Sequence, residues 1–327
     1  MSGATIYDVA KAAGVSHQTV SRYLRGSAQV RPETGERVQS ALDALGYKLN
    51  SAARYLRTQR VNRLGVLAHH LDLSGPVRLL NGVTGAARER GYLLDIVAVD
   101  GNDHVDVERG LDLVLGQQVA GIVIVAQSSI VVRAVAARAA DLPMSSDVTV
   151  EGETPLNAVA GSVAASHLAD LGHTRLAYIA GPATWPSARD RREGFLQEAR
   201  RRGCAVVWEA EGDWSGSSAY AIARSLPVEE LGISAVGVAN DSMAVAIIAA
   251  LSDRGLRVPE DVSVIGTDDS PESRYLRPAL TTVDVHQEDE GAHMLISLVA
   301  MIEQSDPSVV PAIRSPALVP RGSTAST

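Results

Sequence analysis

Four hydrogen-bonding side chains recur at helical spacing near the start of the chain. They occupy positions i, i+1, i+4 and i+5 of one amphipathic segment, and therefore one side of a helix: His17, Gln18, Ser21 and Arg22. A glutamine amide can pair with adenine and an arginine guanidinium with guanine, each through two hydrogen bonds. We therefore assign Gln18 and Arg22 to base edges, whereas His17 suits either a base or a phosphate. Any amphipathic helix also turns polar residues outward, so the pattern alone leaves a plain solvated face open.

A second set of polar residues follows apolar runs in the later part of the chain. Arg191 lies in GPATWPSARDRREG, Asn240 in VANDSMA and Asp268 in IGTDDS, each after a run typical of a buried strand. Guanidinium, amide and carboxylate groups can hold pairs of hydroxyls, and Trp214 in EGDWSGSSAY can stack on the apolar face of a sugar ring. A polar residue at a strand end can also cap the next helix, and we expect Asp241 to do only that. The set predicts a site for a small polar molecule, with a sugar as the first candidate.

Three short helices are predicted to position the first set. Thr5 starts a helix over residues 5–13 that Gly14 ends, and Ser16 caps a second. Pro32 lies in the first turn of a third helix, which Gly46 ends. The residues expected to face inward are Ile6, Val9, Ala10, Ala13, Val15, Val20, Leu24, Val38, Ala41, Leu42 and Leu45. Two helices joined by a Gly-Val-Ser turn and braced by a third form a helix-turn-helix unit, whose second helix fits the major groove of DNA.

From residue 61 onward, short apolar runs alternate with longer amphipathic stretches. The runs typical of buried strands are Leu64–Ala68, Leu93–Val99, Gly121–Val125, Arg175–Ala180, Ala235–Ala239 and Val262–Gly266. Helices are predicted near residues 76–90, 105–117, 187–202, 216–225 and 242–254. This alternation predicts an α/β body of two doubly wound parallel-sheet lobes. Because ligands in such sheets lie beyond the carboxyl ends of the strands, we expect the second polar set to converge on one cleft.

Charge is distributed unevenly along the 327 residues. Residues 1–60 hold nine Lys or Arg against four Asp or Glu, a balance of +5, while the remaining residues balance at −13. A basic head on an acidic body suits a protein that contacts phosphate at one end only, although an uneven solvated surface would give the same totals.

Several classes of protein lack support in the sequence. No apolar run approaches the ~18 residues that span a bilayer, and the start lacks the apolar core of a signal peptide, so we expect a cytoplasmic protein. Cys204 is the single cysteine, which leaves no internal disulfide and no cysteine-rich metal site. The motifs G-x-G-x-x-G, G-x-x-x-x-G-K and G-x-S-x-G do not occur, and Asp268 and Asp269 point in different directions if their segment is extended. We therefore predict no catalytic residue, no metal and no cofactor.

The segment TIYDVAKAAGVSHQTVSRYLRG closely resembles the DNA-reading head of the lac repressor and galactose repressor family of bacterial transcription regulators. The resemblance implies that the phosphate contacts come from Thr5, Ser16, Thr19 and Ser21, and that His17, Gln18 and Arg22 face bases. It continues into NSAARYLR, which matches the family's hinge segment and places Asn50, Ala53 and Leu56 on DNA. Ala53 would approach the minor groove, and Leu56 would be a wedge at a central base step, which bends the duplex.

The body resembles the sugar-binding core of the same family and its periplasmic sugar-binding relatives. The segments that carry this likeness occur in order: HLADLGHTRLAYIAGP, SARDRREGF, GDWS, VANDSMA, GLRVPEDVSVIGTDDS and LTTV. It implies that the effector's polar groups are held by Arg191, Trp214, Asn240 and Asp268. It also implies an apolar wall of Leu73, Pro76 and Leu79, with His69 beside the entrance. The detail is closest to the family's galactoside-responsive branch.

Two departures from the family pattern affect the pocket. The segment between Pro143 and Gly161 is several residues shorter, and Asp147 is the candidate pocket residue that remains in it. In DVHQEDEG, Val285 and Gln287 replace a polar and an aromatic pocket residue, so the cavity should differ in shape.

The resemblance also sets the expected domain boundaries. Residues 1–49 would form the helix-turn-helix domain, 50–60 the hinge or linker, and 61–327 the effector-binding and dimerisation core. Within the core, one subdomain would comprise about 61–157 with 285–312 and the other about 158–284 with 313–327. LVPRGS at 318–323 is identical to a protease site used in expression vectors, but it fits the family's closing pattern and is interpreted as native. Because no leucine heptad helix follows, we expect a homodimer.

Together these features predict a repressor that binds a pseudo-palindromic operator and is controlled by a small-molecule inducer, a galactoside-like sugar. The alternative is a corepressor-dependent regulator or activator of the same family with a non-sugar ligand. A transport sugar receptor is disfavoured by the attached head, and an enzyme by the missing motifs.

Overall fold

The computed structural model describes residues 4–24, 30–47, 62–125, 128–139, 141–146 and 154–327. The chain divides into two compact units, Met1–Val61 and Asn62–Thr327, which we call the head and the body. Among the described residues, no helix is both long and apolar enough to cross a membrane.

Three helices make up the described part of the head, and local sequence signals set their ends. They are α1 (Ile6–Ala13), α2 (His17–Tyr23) and α3 (Pro32–Ala44). Thr5 and Asp8 form a reciprocal capping box at the start of α1, and Gly14 ends α1 in the left-handed conformation (φ 63°). Arg37 of α3 donates hydrogen bonds to the carbonyls of Ala13 and Gly14, so the third helix holds the turn between the first two.

The core of the head consists of small and medium apolar side chains: Val9, Ala10, Ala13, Val20, Val38, Ala41 and Leu42. All seven were predicted to face inward. Leu45 was also predicted to be buried, and that prediction was wrong, because Leu45 follows the last turn of α3 as its C-cap and is 39% exposed.

The first lobe of the body is a parallel sheet covered by helices on both faces. Its strands are β1 (Arg63–Ala68), β2 (Leu93–Ala98), β3 (Ile122–Val125) and β4 (Met144–Ser146), in the order β2-β1-β3-β4. Its helices are α4 (Ser74–Glu89), α5 (His104–Leu115) and α6 (Ser129–Arg138). Alternate residues of β1 enter different cores, with Val66 on one side and Leu67 on the other.

The second lobe repeats this plan. Its strands are β5 (Arg175–Ala180), β6 (Ala205–Glu211), β7 (Ala235–Val238) and β8 (Ser263–Ile265), all parallel in the order β6-β5-β7-β8. Its helices are α7 (Leu156–Asp170), α8 (Pro186–Arg201), α9 (Gly216–Arg224), α10 (Val228–Leu231) and α11 (Asp241–Asp253). The two-lobed doubly wound α/β body predicted from the sequence is therefore confirmed.

After the second sheet the chain forms a strand and then a helix that packs on the first lobe. Strand β9 (Thr282–Asp284) pairs antiparallel with β10 (Ala317–Val319), and α12 (Gln287–Glu303) lies between them in sequence. Helix α12 packs tightly on α4: a Cβ on Gly82 would lie 2.0 Å from the carbonyl oxygen of Glu288, and one on Gly291 would lie 2.0 Å from that of Leu79. These glycines let the two helices approach closely.

The LVPRGST segment is an integral part of the body. Leu318 and Val319 lie in β10, and Ser323 is completely buried. The Ser323 hydroxyl donates a hydrogen bond to the carbonyl of Val264 (2.6 Å) and accepts one from the amide of Thr281 (2.8 Å). These contacts support the interpretation of the segment as native.

Replacing Ser323 with alanine should lower the free energy of unfolding by about 1–3 kcal/mol, because it leaves a buried amide and a buried carbonyl without a partner. Urea titration followed by tryptophan fluorescence measures this, since all three tryptophans lie in the body. Ser326→Ala is the matched control: Ser326 is exposed in the same segment, and its replacement should change stability by less than about 0.5 kcal/mol. Equal effects of the two substitutions would contradict the packing described.

Candidate functional site

Helix α2 presents a polar surface, and hydrogen bonds in its first turn fix the start of the helix. Ser16 is the N-cap: its hydroxyl accepts a hydrogen bond from the amide of Thr19 (3.2 Å) and lies 2.9 Å from the Thr19 hydroxyl. Val20 is fully buried on the opposite side of the helix. The cap and the buried valine together set which residues of α2 point outward.

The side chains assigned to bases lie on this outward side. His17, Gln18 and Arg22 are exposed. The ring of His17 lies 5.2 Å from that of Tyr7 in α1, whereas Gln18 and Arg22 make no hydrogen bond or ion pair with any residue that the structure describes. Their donors and acceptors are therefore available to a partner such as a base edge.

The residues assigned to phosphate differ in their local contacts. Thr5 is exposed, and its hydroxyl donates to Asp8 at 2.6 Å, so a phosphate there would compete with the capping box. Thr19 and Ser21 are partly exposed. Asn50, Ala53 and Leu56 lie outside the described residues, so their predicted contacts with DNA stay predictions.

In the body, one cavity lies at the carboxyl ends of the strands, where the polar set was predicted to converge. Its described lining residues are Leu73, Gly75, Pro76, Leu79, Val125, Leu156, Asn157, Trp185, Ser187, Arg191, Trp214, Asn240, Asp268, Val285, Gln287 and Glu290. They come from strand ends and helix N-termini of both lobes. The structure thus brings together seven of the eight residues assigned to the effector.

Asp268 is the buried anion of this cavity. One carboxylate oxygen accepts a hydrogen bond from the amide of Gln287 (3.0 Å) and lies 3.5 Å from the Arg191 guanidinium. Arg78 of α4 donates to the backbone carbonyls of Asp268 and Asp269. Burial raises the pKa of Asp268 to about 6, while Arg191 and Arg78 oppose that rise.

Three buried polar atoms of the cavity residues lack a partner among the described residues. They are Nε of Arg191, Nε1 of Trp214 and Oε1 of Gln287. The first two are donors and the third is an acceptor, so a ligand that both accepts and donates hydrogen bonds would satisfy them. The remaining guanidinium nitrogens of Arg191 are used, since they donate to the carbonyl of Ala239 and to the side chain of Asn157 (2.6 Å).

The capping role expected of Asp241 belongs instead to Asn240. Asn240 is the N-cap of α11: its amide oxygen accepts from the backbone of Met243 (2.8 Å), and its amide nitrogen donates to the carbonyl of Trp214 (3.1 Å). The prediction for Asp241 was wrong, because that side chain turns inward. It is 1% exposed and accepts hydrogen bonds from the residues around it: Ser270, Ser273 and Thr282. Burial and the charge of Asp268 raise the pKa of Asp241 to about 7.

His69 lies behind the cavity wall rather than at an entrance. It is 2% exposed and is not among the described lining residues. The backbone amide of Gly101 donates to its Nδ1 (2.9 Å), and its ring lies 5.2 Å from that of Trp185. Burial lowers the pKa of His69.

Sequence reasoning missed Trp185 and Arg78. Trp185 lines the cavity from the N-cap of α8, and an aromatic residue in the loop after a buried strand was the available signal. Arg78 gave no signal, because its partners are about 190 positions away in the sequence. Asp268 and Asp269 do point in different directions, Asp269 toward Arg321, but both have positive φ (115° and 52°), so the segment is not extended.

Comparison with known proteins agrees with this architecture. Residues 5–50 match the family model described as bacterial regulatory proteins, lacI family, and residues 165–324 match a periplasmic binding protein-like domain. The lactose operon repressor of Escherichia coli K12 is 32% identical over 86% of this chain and 80% of its own length. The ribose operon repressor of the same organism is 30% identical over 98% of this chain and 99% of its own.

A solved structure extends the match to three dimensions. The crystal structure of the lac repressor dimer bound to operator and the anti-inducer ONPF has a TM-score of 0.83 and 28% identity, covering 99% of this chain and 100% of that one. The chain belongs to the lacI family of bacterial regulatory proteins. The relatives it matches are transcription regulators, not enzymes.

Replacing Arg78 with glutamine should raise the pKa of Asp268 above about 6, because the Arg78 cation favours the ionised carboxylate. A ¹³C NMR titration of the carboxyl carbons, assigned with Asp268→Asn, measures the pKa directly. Arg88→Gln is the control, since Arg88 lies exposed at the far end of α4. An unchanged or lowered pKa in Arg78→Gln would contradict the placement of Arg78.

Proposed function

We propose that the chain is a homodimeric, cytoplasmic transcriptional repressor that binds a pseudo-palindromic operator and releases it when a galactoside-like sugar enters the body. The observation that carries the proposal is that Gln18 and Arg22 are exposed on the second helix of a helix-turn-helix unit and have no hydrogen-bond or ion-pair partner among the described residues. Residues 1–49 would read DNA, 50–60 would form the hinge, and 61–327 would bind the effector and dimerise.

The geometry of α2 supports separate residues for base contacts and for phosphate contacts. Gln18 and Arg22 are four positions apart, one turn along the same face of α2, so both can reach one major groove. Ser16, Thr19 and Ser21 flank them and would hold phosphates, which fix register without reading sequence. Two heads would occupy two half-sites of the operator, and the relative solved on its operator is a dimer.

The cavity chemistry supports a polyhydroxyl effector. The donors on Arg191 and Trp214 and the acceptor on Gln287 that lack a partner among the described residues match hydroxyl groups, each of which donates and accepts. The one cation that lines the cavity among the described residues is Arg191, and Asp268 already balances its charge, which disfavours an anionic ligand. Since both lobes line the cavity, a bound sugar would change their relative position. This would in turn disturb the pairing of the two hinge segments of the dimer, with a coupling free energy between sugar binding and operator binding of ~1–3 kcal/mol.

Arg22→Ala should abolish specific operator binding, because a two-bond pairing between an arginine and a guanine supplies ~1–3 kcal/mol of discrimination in each half-site. The operator is first selected from a random DNA pool with the full chain, and the Kd values for that operator and for random DNA are then measured by fluorescence anisotropy at fixed salt. Ser40→Ala is the control, because Ser40 is exposed on α3 and outside the assigned surface. Analytical ultracentrifugation should find the dimer unchanged. If discrimination survives in Arg22→Ala, its role is refuted.

Trp214→Ala or Asp268→Ala should keep operator binding but lose the ligand response. Methyl β-D-galactoside is the first probe: it should raise the melting temperature of the unaltered chain by mass action and weaken its operator binding. Sugar alcohols and nucleobases test the competing ligand classes in the same assay. A variant that responds normally would remove that residue from the pocket, and tighter operator binding with ligand would make the ligand a corepressor.

A further inference from the structure

Two tryptophans meet at the cavity. Trp185 and Trp214 both line it, and their ring centroids lie 5.6 Å apart with the planes at 67°. They are 6% and 5% exposed, so little of either ring faces bulk solvent. The indoles form two walls of one enclosed space.

Residues of the other lobe hold Trp185 in place. Its backbone belongs to the second lobe as the N-cap of α8, while His69 and His70 follow β1 in the first lobe. The two imidazole rings lie 5.2 and 5.3 Å from the indole at interplanar angles of 31° and 34°, and 3.7 Å from each other. Trp185 is therefore a wall of the cavity whose indole packs on two imidazole rings of the other lobe.

The cavity lining combines hydrogen-bonding and apolar side chains. The Arg191 guanidinium carbon lies 6.0 Å from the ring centroid of Trp214. The same guanidinium is 3.5 Å from the Asp268 carboxylate, which accepts a hydrogen bond from Gln287. Six apolar side chains also line the cavity: Leu73, Pro76, Leu79, Val125, Leu156 and Val285. The other described polar side chains that line it are those of Asn157, Ser187, Asn240 and Glu290. A single sugar ring satisfies the polar groups but offers little to an apolar wall and a second indole.

We infer that Trp185 is a specificity-determining residue: it contacts a second ring of the effector, attached to the sugar that lies against Trp214 and the polar groups. The inference rests on the proposed sugar response and narrows it to glycosides with a ring-shaped aglycone. Such a ring is either aromatic or a second sugar, because both offer a face that packs on an indole.

Isothermal titration calorimetry on the full chain tests this with three galactosides that differ in the aglycone. Methyl β-D-galactoside lacks a second ring, phenyl β-D-galactoside carries an aromatic one, and lactose carries a sugar ring. At least one ringed ligand should bind about tenfold more tightly than the methyl glycoside, the scale of one aromatic contact. Which of the two binds more tightly identifies the source of the ring.

Three variants assign that preference to the indole. Trp185→Leu should reduce the ratio of affinities to near one, because leucine is apolar but not flat, and Trp185→Phe should keep part of it. Trp208→Phe is the matched control for removal of an indole, since Trp208 lies on β6 and is not among the described lining residues. It should keep the full ratio.

The outcomes separate this inference from the proposed function. A methyl galactoside that binds as tightly as both ringed ligands, or a ratio that survives in Trp185→Leu, overturns the inference and leaves the sugar response intact. If none of the three galactosides binds the unaltered chain, the inference and the galactoside assignment both fail. Operator binding, measured on the same samples, then reports whether the DNA-reading part of the proposal still stands.

Discussion

The buried carboxylate of Asp268 is the group on which both lobes of the body converge. A charge out of water is costly unless ions and hydrogen bonds compensate it. Here the compensation comes from the second lobe through Arg191 and from the helix packed on the first lobe through Gln287. Arg78 adds a cation from α4 and holds the backbone that carries the carboxylate. The free-energy cost of burying the Asp268 charge therefore depends on the relative position of the two lobes. A ligand that hydrogen-bonds to this carboxylate in place of its present partners would favour a different relative position.

Most of the head could be predicted from the sequence because its signals are local. Thr5, Gly14, Ser16 and Pro32 each mark a helix end through their own chemistry, and the structure places the ends where these residues lie. The error at Leu45 arose where the helical periodicity was extended one residue beyond the last turn. In the body, the apolar runs also predicted β1, β2, β3, β5, β7 and β8, but not the half-exposed β6 or the short β4.

The site could be predicted only in part, because its remaining contacts are long-range. The resemblance and the strand ends identified Arg191, Trp214, Asn240 and Asp268, which all line the cavity. Which of two neighbouring polar residues caps α11 depends on distant Thr282 and the loop before it, and no local pattern contains that information. The positive φ angles of Asp268 and Trp214 could not be predicted from the sequence either, because glycine is the residue that signals left-handed backbone.

The modest core of the head has an evolutionary consequence. Seven small and medium apolar side chains close that core, all within the first 42 residues, and a module of this size is only marginally stable by itself. In the described part of the head, Arg37 nevertheless holds the turn between the first two helices, and each helix begins at its own sequence signal. Such a unit can be exchanged by recombination. Joining it to another body would transfer its DNA-binding specificity without a change in the body that controls it.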